Sequence, residues 1–122
     1  RSLVGSEMCI RDRCIDNLYS KNERLVCHFK EQDDHFSVIF VGAINVSSIE
    51  TQWKGEVSPP MPKILISNKY GNKNIKFDKG DEIGMFKSGS TVILLFTENI
   101  ELSNSLKMNQ SIRVGKKIGK IN

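Results

Sequence analysis

A glycine–serine pair is the part of this sequence best suited to do chemistry. Gly89 and Ser90 lie in a turn of small residues, directly before the apolar run 91–96. Glycine leaves its carbonyl unshielded by a side chain and allows strained backbone angles. This geometry suits attack by the Ser90 hydroxyl on the Gly89 carbonyl carbon, the step by which a chain cuts itself and converts a serine into a pyruvoyl group. The alternative interpretation is an ordinary Gly-Ser turn before a strand.

The elements that must position this pair are predicted to be strands. Alternating and continuous apolar runs dominate the sequence, and Asp, Pro, Gly and Asn clusters separate them. Strands are predicted at residues 24–29, 36–44, 46–57, 63–66, 82–86 and 91–96. The runs 36–44 and 91–96 carry apolar residues that suit both faces, which predicts interior strands. Only residues 15–22 and 100–108 have a weakly helical pattern.

A short internal repeat supports this reading. Residues 77–86 resemble residues 112–121 at an offset of 35: each has an apolar residue, a turn glycine, an Ile-Gly pair and a final apolar residue. A repeated turn-then-strand unit predicts pseudo-symmetric hairpins, although chance recurrence of a glycine turn is the alternative. The predicted fold is all-β and mainly antiparallel, a hybrid of sandwich and flattened barrel with short helical segments.

Composition limits the classes of protein. The 122 residues are 39% hydrophobic, which predicts one globular domain or part of one, and no run reaches the ~18 apolar residues of a spanning helix. The three cysteines show no metal-ligand or disulfide spacing, so no metal site is predicted, and a reducing compartment is expected. Basic residues, net charge +4, are spread along the sequence. They suit an anionic membrane surface, and the aromatic-basic pattern of nucleic-acid binders is missing.

Several blocks of sequence carry a family resemblance. They occur in this order: NERLVC (22–27), VGAINVSSIETQW (41–53), GEV with two prolines (55–60), KGDEIGMF (79–86), GSTVILLF (89–96) and VGKKIG (114–119). Together they resemble the C-terminal part of the phosphatidylserine decarboxylases, pyruvoyl-dependent enzymes of phospholipid synthesis. The family usually has Leu or Gly at the position of Ser88 and Gly at that of Ser47. Ser88 keeps the turn small. Ser47 restricts the backbone angles at a position near the substrate, which matters if that position needs φ > 0.

The resemblance implies a function and a set of site residues. Self-cleavage between Gly89 and Ser90 would give a larger chain, 14–89, and a smaller chain, 90–122, which stay together. Ser90 becomes the pyruvoyl group, whose carbonyl forms a Schiff base with the amine of phosphatidylserine. Loss of carbon dioxide then leads to phosphatidylethanolamine, with the pyruvoyl group as electron sink. Ser88 and Thr91 support the turn, and Ser47 and Ser48 are candidates for binding the head group, or are ordinary strand-turn serines.

The resemblance also implies that proton transfer depends on residues outside this sequence. In the family, the base for self-cleavage is a histidine held by an aspartate, both upstream of the matched part, and a further upstream histidine serves the decarboxylation step. His28 and His35 do not match those positions, so we interpret them as surface or half-buried imidazoles. The sequence is therefore expected to be a fragment of a larger α+β enzyme, inactive by itself. Its expected location is the cytoplasmic face of the membrane, as a peripheral protein.

Two features lie outside the resemblance. Residues 1–13 resemble a translated sequencing-adapter read-through, so we expect them to be an artefactual leader before a domain at 14–122. Lys107, between Leu106 and Met108, has some likeness to a biotinyl attachment site but lacks the preceding methionine. The alternative function, suggested by the repeated turn-then-strand unit, is a non-catalytic carrier of the biotinyl, lipoyl or phosphotransfer type. Trp53, the single tryptophan, is predicted to be a core residue.

Overall fold

The described part of the computed structural model is built from β-strands. It comprises residues 2–3, 22–32, 34–42, 49–57, 65–70, 73–87, 91–97 and 100–121, and within these ranges there is no helix. The strands are β1 (Ser2–Leu3), β2 (Arg24–Glu31), β3 (Asp34–Val41), β4 (Ile49–Thr51), β5 (Gly55–Val57), β6 (Gly84–Phe86), β7 (Thr91–Phe96), β8 (Ile100–Leu102), β9 (Ile112–Arg113) and β10 (Gly119–Ile121). Every strand pairing is antiparallel, as predicted.

The first sheet has the order β2-β3-β7, so β3 is its central strand. Strands β2 and β3 form a hairpin from the Arg24–Val41 pair to the Glu31–Asp34 pair. Gln32, in the tight turn, has a φ of 54°, the left-handed conformation that short hairpin loops require. On its other edge, β3 pairs with β7 over six residues. The sheet therefore joins segments 50 to 60 residues apart in the sequence.

The second sheet has the order β5-β4-β6. Strands β4 and β5 form a hairpin across residues 52–54, and Gly55 closes it with a φ of 75°. Ile49 pairs with Val57 on one side and with Phe86 on the other. Successive strand residues point to opposite faces, so Ile49 and Thr51, each 2% exposed, share the buried face, and Glu50 lies on the opposite face.

One apolar core joins the two sheets. Cys27, Val38 and Phe40 of the first sheet and Ile49 of the second are its buried members. Phe40 also packs against Phe86, with ring centroids 5.5 Å apart. Around these lie partly buried residues from both sheets and from the loops: Leu25, Phe29, Phe36, Trp53, Ile83 and Phe86. Burial of this cluster supplies the main stabilising term, at about 25 cal/mol per Å² of apolar surface removed from water.

The structure confirms the internal repeat and extends it. The turn 78–81 and the turn 113–116 each close a backbone hydrogen bond, 3.0 Å and 3.2 Å long, around a glycine with positive φ. Each turn leads into a strand that begins at the Ile-Gly glycine, β6 or β10. The partner strands also correspond: Ile49-Glu50-Thr51 pairs with β6, and Ile100-Glu101-Leu102 pairs with β10. The recurrence is therefore a structural repeat rather than a chance glycine turn.

Several predicted elements were wrong in extent or place. Of the predicted strand 46–57, residues 49–57 are described and contain two short strands, β4 and β5, because the turn at 52–54 reverses the chain. Residues 65–66 are exposed and irregular rather than a strand. Residues 100–102 form β8 instead of a helix, because they pair with β10. The other weakly helical segment is outside the described residues apart from Asn22, which lies in a bend.

The prediction that β7 is an interior strand was also wrong. Within the described residues β7 is an edge strand, paired only with β3. Val92, Leu94 and Leu95 are 41%, 37% and 55% exposed. The run is apolar on both faces, but only one of its edges and part of one face meet the rest of the described structure. The companion prediction for 36–44 is confirmed for residues 36–41, which are paired on both edges, whereas residues 43–44 lie outside the described part.

Two further observations concern the amino-terminal strand and membrane-spanning helices. Strand β1, inside the segment expected to be an artefactual leader, pairs with β9 through two residue pairs, Ser2–Arg113 and Leu3–Ile112. The described part of the chain contains no helix long and apolar enough to cross a membrane.

Gly84 is predicted to be indispensable to the packing of the two sheets. A Cβ at this position would lie 2.7 Å from the Glu50 carbonyl oxygen and 3.3 Å from the Phe40 ring. Gly84→Ala should therefore lower the free energy of unfolding by about 1–3 kcal/mol in urea denaturation. In an unobstructed strand the same change would be stabilising. Met85→Ala, on the opposite face of β6, is the control and should cost less; a Gly84→Ala protein as stable as the parent would contradict the packing.

Cys27 is predicted to make stability fall at alkaline pH. Burial raises the pKa of its thiol from 9.0 to about 11. Between these values the unfolded chain loses the proton while the folded chain keeps it, so the free energy of unfolding should fall by about 2–3 kcal/mol as the pH rises through this window. Cys27→Ala, measured by urea denaturation across the same range, should lack this component of the fall. Equal pH slopes for the two proteins would show that the thiol is not buried in solution.

Candidate functional site

The residues predicted to do chemistry belong to two links between the sheets. Ser88, Gly89 and Ser90 connect β6 to β7, and Ser47 and Ser48 belong to the link from β3 to β4. All five lie outside the described residues, as does residue 43, whereas Thr91 is described and half-buried as the first residue of β7. The site is therefore defined by the residues that hold the two ends of each link.

The structure brings these ends together in pairs. Val41, where β3 ends, pairs with Thr91, where β7 begins. Ile49, where β4 begins, pairs with Phe86, where β6 ends. Directly opposed residues in antiparallel strands have Cα atoms about 5 Å apart. The two links that carry the candidate cleavage and substrate serines consequently begin and end beside each other.

The anchoring residues are firmly buried. Val41 and Ile49 are each 2% exposed, and they lie in different sheets. Gly42 is buried as well; its N–H donates to the Glu23 carbonyl at 2.9 Å, and its carbonyl accepts from the Asn22 amide at 3.0 Å. These bonds fix the backbone at the point where it leaves the first sheet, since a buried backbone polar group without a partner is costly.

An ion pair holds the residue at the start of the predicted turn. Lys87 directly follows β6, and its Nζ donates to Oε2 of Glu56 on β5 at 2.6 Å. The hydrogen bond to Glu56 and the charge of that carboxylate raise the pKa of Lys87. Both side chains are about half exposed, so the pair orients the chain more than it stabilises the fold. Sequence reasoning missed this pair, because its members are 31 residues apart in strands whose register only the sheet reveals.

The two histidines lie at the opposite end of the first sheet. His28 Nδ1 is 2.7 Å from Ser37 Oγ, in the row of the sheet that contains Leu95. His35 exchanges hydrogen bonds with Thr97, just beyond the other end of β7. At about 3.4 Å per residue, Leu95 is about 14 Å and Thr97 about 20 Å along the strand from Thr91. This supports the interpretation of both as surface histidines rather than bases for the turn.

Trp53 and Lys107, the other two residues singled out from the sequence, lie in a packed aromatic cluster and in an exposed turn. Trp53 is partly buried against the core and meets Phe29, Tyr70 and Phe77 edge-on at 5.6–6.4 Å, which confirms it as a packing residue. Lys107 begins an exposed turn between β8 and β9. Within the described ranges, no group of three or more His, Cys, Asp or Glu side chains could hold a metal ion.

Comparison with known proteins places the chain in a family. The family model for phosphatidylserine decarboxylase matches residues 5–120. The chain therefore belongs to a family of decarboxylase proenzymes. That family is phosphatidylserine decarboxylase, as the sequence resemblance predicted. The match begins within the segment expected to be a leader.

Individual relatives support the same assignment. The chain is 50% identical over 82 residues to the phosphatidylserine decarboxylase proenzyme of Methylococcus capsulatus, which covers 67% of this chain and 28% of that protein. It is 48% identical over 99 residues to the proenzyme of Francisella philomiragia (80% and 34%) and 44% identical over 108 residues to that of Coxiella burnetii (88% and 38%). The chain spans about a third of the length of these relatives. No solved structure matches it.

Proposed function

We propose that this chain supplies the self-cleaving serine and the surrounding β-structure of a pyruvoyl-dependent phosphatidylserine decarboxylase. The observation that carries the proposal is the Val41–Thr91 pair, which ties the residue directly after Ser90 to a buried strand end. Three residues separate that anchor from Lys87, itself held by Glu56. The predicted cleavage site therefore lies in a short link between two fixed points. The relatives of this chain are named proenzymes, which agrees with a chain that is cut.

The proposed cleavage uses only the atoms of the link and water. Ser90 Oγ attacks the carbonyl carbon of Gly89, so that the peptide bond becomes an ester and the amine of Ser90 is released. Removal of the Cα proton of Ser90 expels the Gly89 carboxylate and leaves dehydroalanine. Tautomerisation and hydrolysis then release ammonia and leave a pyruvoyl group at the new amino terminus. A hydroxyl is a poor nucleophile unless a base accepts its proton, so the first step depends on a positioned base.

The pyruvoyl group formed from Ser90 supplies an electron sink that no ordinary side chain provides. In this proposal phosphatidylserine gives phosphatidylethanolamine and carbon dioxide. Ser47 and Ser48 contact the head group from the neighbouring link, whose ends lie beside those of the Ser90 link. The partners are the anionic membrane surface that holds the substrate and the second chain made by cleavage. We place the protein at the cytoplasmic face of the membrane.

The base is proposed to come from the part of the relatives' length that this chain does not span. His28 and His35 lie rows away from Thr91 along the first sheet. The ring of His28 is within hydrogen-bonding distance of Ser37 Oγ, and the main chain of His35 is bonded to Thr97. The described part of the chain thus offers no histidine next to Thr91. The fragment by itself is accordingly proposed to be inactive.

A chimaera gives the direct test of the cleavage site. The matched part of the Methylococcus capsulatus proenzyme is replaced by this chain, and the product is weighed by intact-mass spectrometry. Two chains should appear, divided between Gly89 and Ser90, and the smaller should resist Edman degradation because its amino terminus is a pyruvoyl group. Ser90→Ala should leave one uncut chain without decarboxylase activity, since no hydroxyl remains to attack.

Ser88→Ala is the matched control, because it changes a serine in the same link without removing the proposed nucleophile. It should still give two chains. Cleavage that persists in Ser90→Ala, or that is lost only in Ser88→Ala, would overturn the assignment of the nucleophile.

The chain alone should remain uncut and should release no carbon dioxide from labelled phosphatidylserine. General-base assistance is typically worth about 10²–10⁴-fold in rate, and the described histidines are too distant to supply it. Intact mass after prolonged incubation measures cleavage, and labelled carbon dioxide measures turnover. If the chain does cut itself, the prediction is wrong, and the cleavage rates of His28→Gln and His35→Gln would show whether either histidine is the base. Loss of cleavage in one of these variants would show that this histidine reaches the turn.

A further inference from the structure

The excess of positive over negative charge lies at the carboxyl-terminal end of the sequence. Residues 103–122 carry four lysines and one arginine and no acidic residue, whereas residues 1–102 carry 13 basic and 14 acidic side chains. The net charge of +4 therefore arises from the last twenty residues. This corrects the view that the basic residues are evenly spread. An end of one sign with no acidic neighbours in sequence is the pattern of an electrostatic contact surface.

Two exposed turns in this segment present apolar residues at their tips. In the turn 107–110, the Gln110 N–H donates to the Lys107 carbonyl at 3.2 Å and Asn109 has a φ of 61°. In the turn 113–116, the Lys116 N–H donates to the Arg113 carbonyl at 3.2 Å and Gly115 has a φ of 82°. Both follow the pattern of a type II turn, which places Met108 and Val114 at the second position. These side chains are 92% and 70% exposed.

The two turns lie around one shallow depression. Three short segments of the chain line it: residues 105–106, 110–112 and 116–118. Lys116 and Lys117 line this depression, as do Ser105 and Ser111. Within the described residues, Lys107, Arg113, Lys116 and Lys117 form no ion pair; Lys120, by contrast, is paired with Glu101 at 2.9 Å. The cations around the depression are thus available to an anionic partner.

The first copy of the repeat shows that the fold does not require this chemistry. The turn 78–81 has the same backbone hydrogen bond and the same positive-φ glycine as the turn 113–116. It carries Asp78 and Asp81 where the second copy carries Arg113 and Lys116, and a lysine where the second copy exposes Val114. Equivalent backbones with opposite charges indicate that the basic and apolar tips serve something other than folding.

We propose that the turns 107–110 and 113–116, with Lys117, form a surface that docks on an anionic lipid bilayer, and we call it the basic tip. Met108 and Val114 enter the boundary between head groups and acyl chains, while the cations meet lipid phosphates. Residues 103–122 contain no aromatic residue, so they lack the stacking groups that single-stranded nucleic-acid binders use. The proposal rests on the proposed function, whose substrate is a membrane lipid, and adds where the protein meets it.

The test is co-sedimentation of the full chain with vesicles that contain no phosphatidylserine. Binding to phosphatidylcholine vesicles containing phosphatidylglycerol should exceed binding to pure phosphatidylcholine vesicles, and added salt should weaken it. Each lysine near the surface is worth about fivefold in partitioning, so the pair Lys116→Gln and Lys117→Gln should lower it by about 25-fold. Met108→Ser should lower it by about tenfold.

Matched controls separate this surface from general charge and hydrophobicity. Lys76→Gln with Lys79→Gln removes the same charge from exposed positions elsewhere, and Leu65→Ser removes an apolar side chain that is 97% exposed. Both should bind like the parent, and circular dichroism should show unchanged strand content in all variants. Equal losses in controls and test variants would overturn the proposal, as would tight binding to an oligonucleotide without binding to vesicles. Because the vesicles lack substrate and no cleavage is scored, the outcome is independent of the chimaera experiment.

Discussion

The rest of the described structure depends on the pairing of β3 on both of its edges. This strand contributes Val38 and Phe40 to the core, receives the β2 hairpin on one side and receives β7 on the other. Pairing with β7 closes a loop of about fifty residues, whose entropic cost grows only slowly with length. Six residue pairs and the stacking of Phe36 on Phe96, with centroids 6.1 Å apart, offset that cost. Without this pairing, the two links of the candidate site would have no common anchor.

The repeat explains how one backbone plan serves two purposes. In the first copy, Ile49 of β4 and Phe86 of β6 face the core, and the ring of Phe40 packs closely on Gly84. In the second copy, a Cβ at Gly119 would lie 2.8 Å from the Glu101 carbonyl oxygen, much as one at Gly84 would lie 2.7 Å from that of Glu50. Yet Leu102 is 59% exposed, and the turn before Gly119 is basic. The backbone geometry of the repeat requires both glycines. The side chains around them differ because the first copy packs against the core and the second is largely exposed.

Much of the fold could be predicted because it is determined locally. Alternating apolar residues located β2, β3, β6 and β7 to within a few residues, and the recurring Ile-Gly motif revealed the repeat. The errors have a common cause, since position in a sheet depends on partners distant in sequence. Nothing in Thr91–Phe96 itself shows that β7 lies at an edge, and nothing in residues 100–102 shows that β10 pairs with them. Short strands such as β8 have too few residues for a periodic signal.

The candidate site divides along the same line. The Gly89–Ser90 pair was selected from residue types and from the family resemblance, and its role stays a prediction because both residues lie outside the described part of the chain. Lys87 with Glu56, and Gly42 with Asn22, could not be found in this way, as their contacts arise only when the strands are in register. His28 and His35 were set aside because they match neither family position and lie in a strand-like run and beside an acidic turn. The sheet register adds a further physical reason, since both lie several rows from Thr91.

The position of β7 has a consequence for the protein after the proposed cut. Strands β8 and β10 pair with each other on the carboxyl-terminal side of Ser90, and β4, β5 and β6 pair with one another on the amino-terminal side. Apart from the two pairs of β1 with β9, the ladder between β3 and β7 is the only described strand pairing that crosses the scissile bond. The mature protein would then be a strand-donor complex, in which the smaller chain lends one strand to a sheet made by the larger. Among the described residues, the six residue pairs between β3 and β7 are therefore the main backbone contact that would hold the smaller chain to the larger one.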